Sequence, residues 1–309
     1  MSTQKKTIAE IADLWKEDKR NFVKLSTFSA YMLILQNHIL PYFGDRTEIK
    51  EADVQAFAIS KLNGNLCRKS VKDILIVLKM IVQYGAKAGL CDYVEWDVRY
   101  PTVQENPALD VLTVGNHRKL LTYVQNHFTF KNLGIYICLT GGLRIGEVCA
   151  LQWKDVDIEK GVLHVSKTVE RIYIVEGDNK HTRLVIDNPK TKNSVREVPM
   201  TADLHKLLKP FKKVMNPEFY LLTNDDHPTE PRTYRTYYKR LMKKLGVPPL
   251  KFHGLRHSFA TRCIESNCDY KTVSAILGHS SISTTLNLYV HPNIEQKKKC
   301  IDKMFRSIR

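Results

Sequence analysis

The chain has 309 residues, of which 43% are hydrophobic and 26% are charged, and its formal net charge is +16. This composition excludes a disordered chain and leaves room for two domains, and no apolar run reaches the ~18 residues of a transmembrane helix. Residues 1–110 contain 15 Lys and Arg against 14 Asp and Glu (+1) and the rest 33 against 18 (+15), which predicts a polyanionic partner for the second part.

Residues 1–100 predict a small all-helical domain with four helices. The residues at helical spacing are Ile8, Ile11, Ala12 and Trp15, then Tyr31, Ile34, Leu35 and His38, then the stretch 52–62, and then Val71, Ile74, Leu75, Leu78, Ile81 and Val82. We expect the second helix to begin near Ser26 and to stop before Pro41, because proline lacks a backbone donor. Asn63-Gly64 closes the third helix, and Gly85 or Gly89 ends the fourth.

Residues 101–112 contain two prolines and a mixed polar content, and they predict a linker. Thr113 is a helix cap for a stretch that runs to about Gln125, where the second domain, 113–309, begins. A buried helix follows and is broken by Gly141-Gly142. Arg144 then begins a helix with Glu147 three residues later, and its apolar neighbours favour a buried ion pair with Glu147 or a phosphate contact over solvent.

Between residues 161 and 200 the apolar period changes to two, which is typical of strands. The predicted strands are Val162–Val165, Ile172–Val175, Leu184–Ile186 and Val195–Pro199, with a turn at 176–179. The fold class that follows is mainly α with a small antiparallel β-sheet, in which a helical domain precedes an α+β domain. Lys190 and Lys192 lie in the last turn, where lysines ordinarily only solubilise the loop.

Two more helices follow the strands. Asp203 is the expected cap of a helix that runs to Val214, and Pro231 begins another that continues to about residue 245. The second interleaves tyrosines with the basic residues Arg232, Arg235, Lys239, Arg240, Lys243 and Lys244. One basic helix face is a plausible surface for a nucleic acid, although tyrosines half-buried on a domain surface would give a similar pattern.

The last third of the chain brings four chemically suited side chains into one short run. His253 and Arg256 form an H-x-x-R arrangement at a helix start, His279 follows Leu277-Gly278, and Tyr289 lies in a third helix capped by Ser281 or Ser283. Gly278 occupies the position of a left-handed helix cap. Three groups able to hold a phosphate oxyanion therefore precede one phenol able to attack it.

This run resembles the C-terminal signature of the tyrosine recombinases, which include phage and conjugative-element integrases and chromosome-dimer resolvases. The segments G-L-R-x-G-E at Arg144 and K-T-K-x-x-x-R-x-V-P after Pro189 resemble further motifs of that family. The N-terminal segments T-I-A-E-I-A-D-L-W, S-T-F-S-A-Y and H-I-L-P-Y-F-G are similar to its core-binding, SAM-like domain. The resemblance implies a site-specific DNA recombinase for integration or excision of a mobile element, with a tyrosine-recombinase catalytic domain.

The resemblance also implies a role for each site residue. Tyr289 attacks the phosphate and forms a 3′-phosphotyrosine, Arg144 and Arg256 bind that phosphate, and His253 and His279 donate hydrogen bonds or accept the phenol's proton. Glu147 orients the charged cluster. Lys190, with Lys192 as the alternative, protonates the departing 5′-oxygen. No carboxylate cluster for Mg²⁺ and no glycine loop for ATP are recognised, so we expect neither metal nor cofactor.

Family members clamp double-stranded DNA at a specific recombination site. The candidate phosphate contacts, for which an ordinary solvated face is the alternative, are Lys24, Arg68, Lys69, Lys72, Arg232, Arg235 and Lys239. A basic tail helix at about 294–309 has the apolar stripe Ile301, Met304, Phe305 and Ile308. Relatives donate such a tail to the next protomer, so we expect tail exchange in a DNA-bound homotetramer, with docking on its own domain as the alternative.

Three further expectations come with the resemblance. Accessory DNA-bending proteins are possible partners, and the chain has no room for the arm-binding domain of longer relatives, which makes it a simpler recombinase or one trimmed to its core. The hairpin at about 173–184 is an insertion of the kind seen in conjugative-element integrases, placed to touch DNA or a neighbouring subunit. The alternative functions are a non-catalytic DNA-binding relative and a type IB topoisomerase.

The cysteines and the N-terminus bear on location. The seven cysteines are odd in number and scattered, which predicts reduced thiols rather than disulfides. His257, Cys263 and Cys268 lie near one another, but their spacing matches no common zinc motif. No signal peptide is recognised at the N-terminus, so we expect the protein in the bacterial cytoplasm, on DNA, with no membrane partner.

Overall fold

The computed structural model describes residues 5–102, 110–176, 179–187, 192–289 and 294–308. The chain divides into two compact units. Unit 1 comprises Met1–Asn106 and Ile172–Arg183, and unit 2 comprises Pro107–Arg171 and Leu184–Arg309. The first division point lies inside the predicted linker at 101–112. Within the described residues, no helix is both long enough and apolar enough to cross a bilayer.

Unit 1 is built from helices that bury one face each. The described helices are α1 Ile8–Arg20, α2 Leu25–Ile34, α3 Leu40–Phe43, α4 Glu51–Asn63 and α5 Arg68–Lys87. Helix α1 begins with a capping box, in which the Glu10 backbone N–H donates to Thr7 Oγ1 and the Thr7 N–H donates to the Glu10 carboxylate. The apolar stripes predicted for α1 and α5 are buried in this unit's core, as expected.

The prediction that the second helix stops before Pro41 was wrong. A π-helical stretch, Leu35–Ile39, joins α2 to α3, and Pro41 lies in the first turn of α3. The wider turn lets the Leu40 N–H reach the Leu35 carbonyl, and the fixed φ of a proline, about −65°, is compatible with a helical backbone at Pro41. Leu35, Ile39 and Phe43 stay buried along this stretch, so core packing keeps the chain helical. The start of α2 also differs slightly, because Lys24 rather than Ser26 precedes its first residue.

Unit 2 is mainly helical. Its described helices are α6 Val114–Asn126, α7 Phe130–Gly141, α8 Ile145–Ala150, α9 Ala202–Val214, α10 Pro231–Lys244, α11 His253–Glu265, α12 Tyr270–Leu277, α13 Ile282–Tyr289 and α14 Ile294–Ser307. Thr113 caps α6 as predicted, and the Ser283 N–H donates to Ser281 Oγ at the start of α13. The cap of α9 is Thr201 and not Asp203. The Thr201 hydroxyl accepts from the Leu204 N–H, and Asp203 lies in the first turn, where the helix dipole favours a carboxylate.

Two small antiparallel sheets accompany these helices. The strands are β1 Val156–Asp157, β2 Val162–Val165, β3 Thr168–Glu176, β4 Asn179–Asp187 and β5 Arg196–Pro199. The three-stranded sheet has the order β1-β2-β5, with Leu163 opposite Val198 and their side chains in the core. Short 3₁₀ turns lie at Trp153–Asp155 and Lys192–Ser194. The predicted fold class, mainly α with small antiparallel sheets, is confirmed.

Strands β3 and β4 form the hairpin that we interpreted as an insertion. Its residues 172–183 belong to unit 1, where the Tyr173 N–H donates to Ser29 Oγ at 3.0 Å and the Ser29 hydroxyl donates to the Tyr173 carbonyl. The hairpin therefore hydrogen-bonds to a helix of its own chain. Residues 177 and 178, in the predicted turn, lie outside the described residues.

Candidate active site

The break between α7 and α8 positions the first arginine of the candidate site. Helix α7 is buried and is capped at its C-terminal end by Gly142, which has a left-handed backbone with φ +66°. A side chain at Gly142 would be strained at that angle, and its Cβ would lie 2.6 Å from the Phe259 ring, so the turn requires glycine. Arg144 follows as the residue before α8, with 37% of its side chain exposed. The local sequence thus places a partly exposed guanidinium beside a buried core.

Glu147 holds two arginines in the site. Its carboxylate accepts from the Arg144 N–H at 2.8 Å and from the Arg144 guanidinium at 2.7 Å. The same carboxylate accepts two bonds from the Arg196 guanidinium, at 3.0 and 3.1 Å. Burial favours the neutral acid, but the Arg196 hydrogen bonds and the charges of Arg196 and Arg144 outweigh it, and the pKa of Glu147 lies below its ordinary value. Glu147 is therefore ionised and fixes both guanidinium groups.

Sequence reasoning did not include Arg196 among the site residues. Only 6% of its side chain is exposed, and it also donates to the Ile276 carbonyl in α12 and the Ser194 carbonyl. Arg196 thereby joins β5, α8 and α12. The signal was present in the sequence as the arginine of the K-T-K-x-x-x-R segment, but nothing local indicates that its partner is a glutamate 49 residues earlier.

Arg256 is the most deeply buried charge among the described residues of the site. Its residue is 1% exposed, and its guanidinium donates to the Gly142 carbonyl at 2.9 Å and the Leu277 carbonyl at 2.7 Å. Burial, and then the nearby Arg144 charge, lower the pKa of Arg256 to about 9. The side chain is charged at neutral pH, and hydrogen bonds to carbonyl groups do not neutralise it. Burying an unneutralised charge costs free energy, and an anion bound at this position would offset that cost.

The two predicted histidines lie in the same electropositive surroundings. His253 is the first residue of α11, and His279 follows the left-handed Gly278 cap of α12. The His279 Nδ1 atom lies 2.8 Å from the buried Thr285 hydroxyl, in hydrogen-bond contact. Burial lowers the pKa of each histidine to about 4, and the next contributions come from the neighbouring His257 ring for His253 and from the Arg256 charge for His279. Both imidazoles are neutral at pH 7, and each then has one N–H to donate.

The phenol of Tyr289 ends this cluster. Its ring is 7% exposed and stacks with His279 at a centroid distance of 6.5 Å. Burial raises the pKa of Tyr289, while the charges of Arg256 and Arg144 act in the opposite direction. The Tyr289 hydroxyl lies 2.6 Å from Nδ1 of His257. The sequence analysis considered His257 only as a zinc ligand. It therefore missed His257 as a residue of this site, beside the phenol.

Among the described residues, His257, Cys263 and Cys268 do not form a group whose ligand atoms are close enough to share a metal ion. In the part of the chain that the structure describes, the one group of side chains close enough to share a metal ion is Asp225, Asp226 and His227, and all three are exposed. Exposed acidic groups of this kind are common without a metal.

The remaining predicted residues are located as follows. Lys190 lies outside the described residues, as does the Lys192 side chain. Lys24 precedes α2, and Arg68, Lys69 and Lys72 are exposed in the first two turns of α5, where Arg68 and Lys72 lie over the Tyr100 ring. Arg232, Arg235 and Lys239 are exposed on α10. Their contacts with DNA stay predictions.

The residues that the structure brings together thus come from distant segments of unit 2. They are Arg144, Glu147, Arg196, His253, Arg256, His257, His279 and Tyr289. The cluster contains three guanidinium groups, two of them hydrogen-bonded to Glu147, and this one carboxylate. Its net charge is therefore about +2 at neutral pH with the histidines uncharged. The arrangement can bind a phosphate diester and bring a phenol to its phosphorus.

Comparison with known proteins identifies a family and several named relatives that are similar to this chain. Residues 110–296 match the phage integrase family, and residues 7–62 match the N-terminal SAM-like domain of phage integrases. A protein of Caldanaerobacter subterraneus named tyrosine recombinase XerC-like is 33% identical over 179 residues, covering 53% of this chain and 46% of that protein. The ICEBs1 integrase of Bacillus subtilis is 28% identical over 290 residues, covering 88% and 75%. The chain therefore spans about half to three-quarters of these relatives.

Solved structures share the fold. The Tn1549 transposon integrase in complex with a circular intermediate DNA superposes with a TM-score of 0.74 at 23% identity, covering 96% of this chain and 99% of that one. A λ integrase tetramer bound to a Holliday junction gives a TM-score of 0.64 at 16% identity, covering 95% and 81%. The family match extends over 187 residues, 110 to 296, which is more than half of the 309. The chain belongs to the phage integrase family of tyrosine recombinases.

Proposed function

We propose that this chain is a site-specific DNA strand transferase that integrates or excises a mobile element through a 3′-phosphotyrosine at Tyr289. One observation carries the proposal: several groups that suit a phosphate lie around one buried phenol. Tyr289 interacts electrostatically with Arg144 and Arg256 and stacks on His279, although these residues come from four separate helices or helix ends. The family and its integrase relatives support the same activity.

The proposed reaction begins with a scissile phosphate held by Arg144 and Arg256. Planar guanidinium groups suit the two non-bridging oxygens, and a fixed positive site stabilises the charge that develops on them. His253 and His279 donate N–H groups to the same oxygens. The Tyr289 oxygen attacks phosphorus, the 5′-oxygen departs, and Lys190 gives that oxygen its proton. The phosphoester energy stays in the covalent link, so rejoining by a 5′-hydroxyl needs no separate energy source.

Glu147 and Arg196 have supporting roles in this proposal. Glu147 directs the Arg144 guanidinium, and Arg196 supplies the second cation that keeps Glu147 ionised while buried. Without Arg196, the carboxylate would offset more of the Arg144 charge and weaken its attraction for the phosphate. The two residues tune the charge available to the substrate and do not themselves contact it.

The substrate in this proposal is double-stranded DNA at a specific site, bound on the chromosome or element in the bacterial cytoplasm. In this proposal a homotetramer would synapse two sites, and the λ integrase tetramer bound to a Holliday junction supports the tetramer. The tail helix α14 supports exchange between protomers, because its apolar residues Ile294, Ile301 and Met304 are 53–69% exposed on their own chain. Accessory DNA-bending proteins would shape the sites. These partners are part of the proposal and follow from the family.

A covalent-adduct experiment tests the function. Nicked suicide duplexes that carry the element ends are incubated with the wild type or with Tyr289→Phe in EDTA and resolved on a denaturing gel. We expect an upshifted protein–DNA band with the wild type and none with Tyr289→Phe. If the wild type binds these duplexes without forming an adduct, a non-catalytic DNA-binding protein replaces the recombinase. Monomeric relaxation of plasmids without site preference would instead indicate a type IB topoisomerase.

A further inference from the structure

The hydroxyl of Tyr289 has one hydrogen-bond partner among the described residues, and that partner is His257. The Nδ1 atom of His257 lies 2.6 Å from the Tyr289 oxygen, and the two rings are 5.7 Å apart between centroids. This separation is at the short end of the range for a bond between a phenol and an imidazole. The contact joins α11 to α13, across 32 positions of sequence.

The surroundings of His257 keep it uncharged and fix its orientation. It is half-buried, and burial followed by the Arg256 charge lowers its pKa, whereas the Asp110 carboxylate acts in the opposite direction. The ring of His253, one helical turn earlier, meets that of His257 edge-on with centroids 4.6 Å apart. The Leu112 N–H donates to Ser258 Oγ at 2.8 Å, which ties the segment of Asp110 to α11 beside His257. A neutral imidazole has one nitrogen free to accept a proton.

The other two histidines are engaged differently. His279 Nδ1 is in hydrogen-bond contact with Thr285, and its ring lies parallel to that of Tyr289 at 6.5 Å, an orientation for stacking and not for proton transfer. His253 contacts the His257 ring and not, among the described hydrogen bonds, the phenol. Geometry therefore separates the histidines into two that are available to the phosphate and one that is bonded to the nucleophile.

We infer that His257 is the general base that takes the proton of Tyr289 during strand cleavage and returns it during rejoining. The inference rests on the proposed role of Tyr289 as the nucleophile. A base must lie within about 2.6–3.2 Å of the proton's heavy atom, and His257 meets that requirement in the DNA-free chain.

The Tyr289 oxygen–hydrogen bond breaks, its proton goes to Nδ1 of His257, and the oxygen's electron pair forms the bond to phosphorus. The bond from phosphorus to the 5′-oxygen breaks, and a separate acid protonates that oxygen. In the resting state the proton stays on the phenol, since a phenol is a much weaker acid than an imidazolium. As the phenol oxygen becomes an ester oxygen its basicity disappears, and transfer to His257 becomes favourable. In rejoining, the imidazolium protonates the departing Tyr289.

His257→Asn is the sharpest test variant. The asparagine carbonyl oxygen takes roughly the position of Nδ1 and can accept the phenol's hydrogen bond, but it cannot accept the proton. A role in positioning alone predicts a rate close to that of the wild type. A role as base predicts a loss of about 10²–10⁴-fold in single-turnover cleavage at pH 7. The matched control is His227→Asn, which changes an exposed histidine of the same unit, and Tyr289→Phe is the negative control.

Two further readouts separate a base from a structural role. In the wild type, the cleavage rate should rise with pH and level off once His257 is neutral. In His257→Asn, the cleavage rate should continue to rise with pH, because solvent must remove the proton of Tyr289. A duplex with a 5′-bridging sulfur at the scissile bond needs no proton on its leaving group. The sulfur substrate restores cleavage by a variant that lacks the acid for the leaving 5′-oxygen. We expect it not to restore cleavage by His257→Asn, which lacks the base.

The outcomes are distinguishable from failure of the proposed function. The inference is supported if the wild type and the control form the adduct while His257→Asn cleaves at least a hundredfold more slowly. The DNA affinity of His257→Asn must be unchanged. A rate within about threefold of the wild type at every pH, or full recovery on the sulfur substrate, overturns it. If His257→Asn does not fold by circular dichroism, His257→Gln is measured by the same criteria. No adduct from the wild type itself would overturn the proposed function and this inference together.

Discussion

Arg256 combines deep burial with a net charge that its own hydrogen bonds do not cancel. Its guanidinium uses both terminal nitrogens to reach carbonyls of Gly142 and Leu277. A lysine at this position would keep the charge but present a single compact ammonium, which cannot make both contacts and a bidentate phosphate contact. At the scale of single residues, the shape of the cation therefore matters as well as its charge.

We expect Arg256→Lys to lower single-turnover cleavage about a hundredfold or more, the usual cost of removing one oxyanion donor, with DNA affinity within a few-fold of wild type. The measurement is adduct formation on a suicide duplex together with equilibrium binding. Arg262→Lys is the matched control, because Arg262 lies on the same helix and pairs at the surface with Glu265. Cleavage by Arg256→Lys at nearly the wild-type rate would contradict the proposed site.

Arg196→Ala tests the second residue of the buried charge network. The change leaves Glu147, which is 3% exposed, with Arg144 as its remaining cation. Removing one partner of a buried ion pair costs about 3–5 kcal/mol, and Arg144 should hold the loss near 3 kcal/mol. Urea unfolding monitored by circular dichroism measures it, provided that the m-value is unchanged. In the double variant with Glu147→Ala, the losses should fall well short of additive, and additive losses would refute the network.

At the scale of elements, α10 has one buried and one exposed face. Tyr234 and Tyr238 are buried, and the Tyr234 and Tyr237 hydroxyls donate to the Lys131 carbonyl and the Asn132 side chain of α7. These bonds fix the rotation of the helix about its axis. The basic side chains of Arg232, Arg235 and Lys239 are consequently exposed on a rigid surface.

Replacement of Arg232, Arg235 and Lys239 by alanine should reduce the salt dependence of DNA binding. Each phosphate contact contributes about 0.9 to the slope of log K against log salt, so the triple variant should lose up to about 3 from that slope. Fluorescence anisotropy from 50 to 300 mM salt would measure it. The control removes the same charge from α9, with Lys206, Lys209 and Lys213 replaced by alanine, all of them exposed. Equal changes in both variants would indicate only a loss of net charge.

The same scale shows which features the sequence could predict. Helices with a one-sided apolar stripe, such as α1 and α5, were predicted because burial of one face imposes a period on the sequence itself. The helical continuation through Pro41 was not predicted, because the packing of Ile39 and Phe43 in the core overrides the local tendency of proline to end a helix. Arg196 and His257 were missed for a related reason. Their roles depend on Glu147 and Tyr289, which only the fold brings near.

At the scale of the whole molecule, burial of histidines makes stability depend on pH. Five histidines have a pKa below the ordinary value of about 6.5, in each case mainly through burial: His38, His117, His253, His257 and His279. The unfolded chain takes up protons at these positions as the pH falls below about 6.5, and the folded chain does not until the pH nears 4 for His253 and His279. The stability present above pH 6.5 is therefore lost progressively between pH 6.5 and 4.

We expect the free energy of unfolding to be nearly constant from pH 7 to 8 and to fall steadily from pH 6.5 to 4. Urea unfolding at fixed ionic strength measures this, and the slope against pH gives the protons taken up on unfolding. Replacing both His253 and His279 by glutamine should remove up to about two protons from that uptake near pH 5, since glutamine has no charge to acquire. The matched control is His227→Gln, whose side chain is 67% exposed. An unchanged slope in the double variant would show that the two active-site histidines are protonated in the folded chain, and neutral N–H donation by His253 and His279 would then have to be replaced by an imidazolium mechanism.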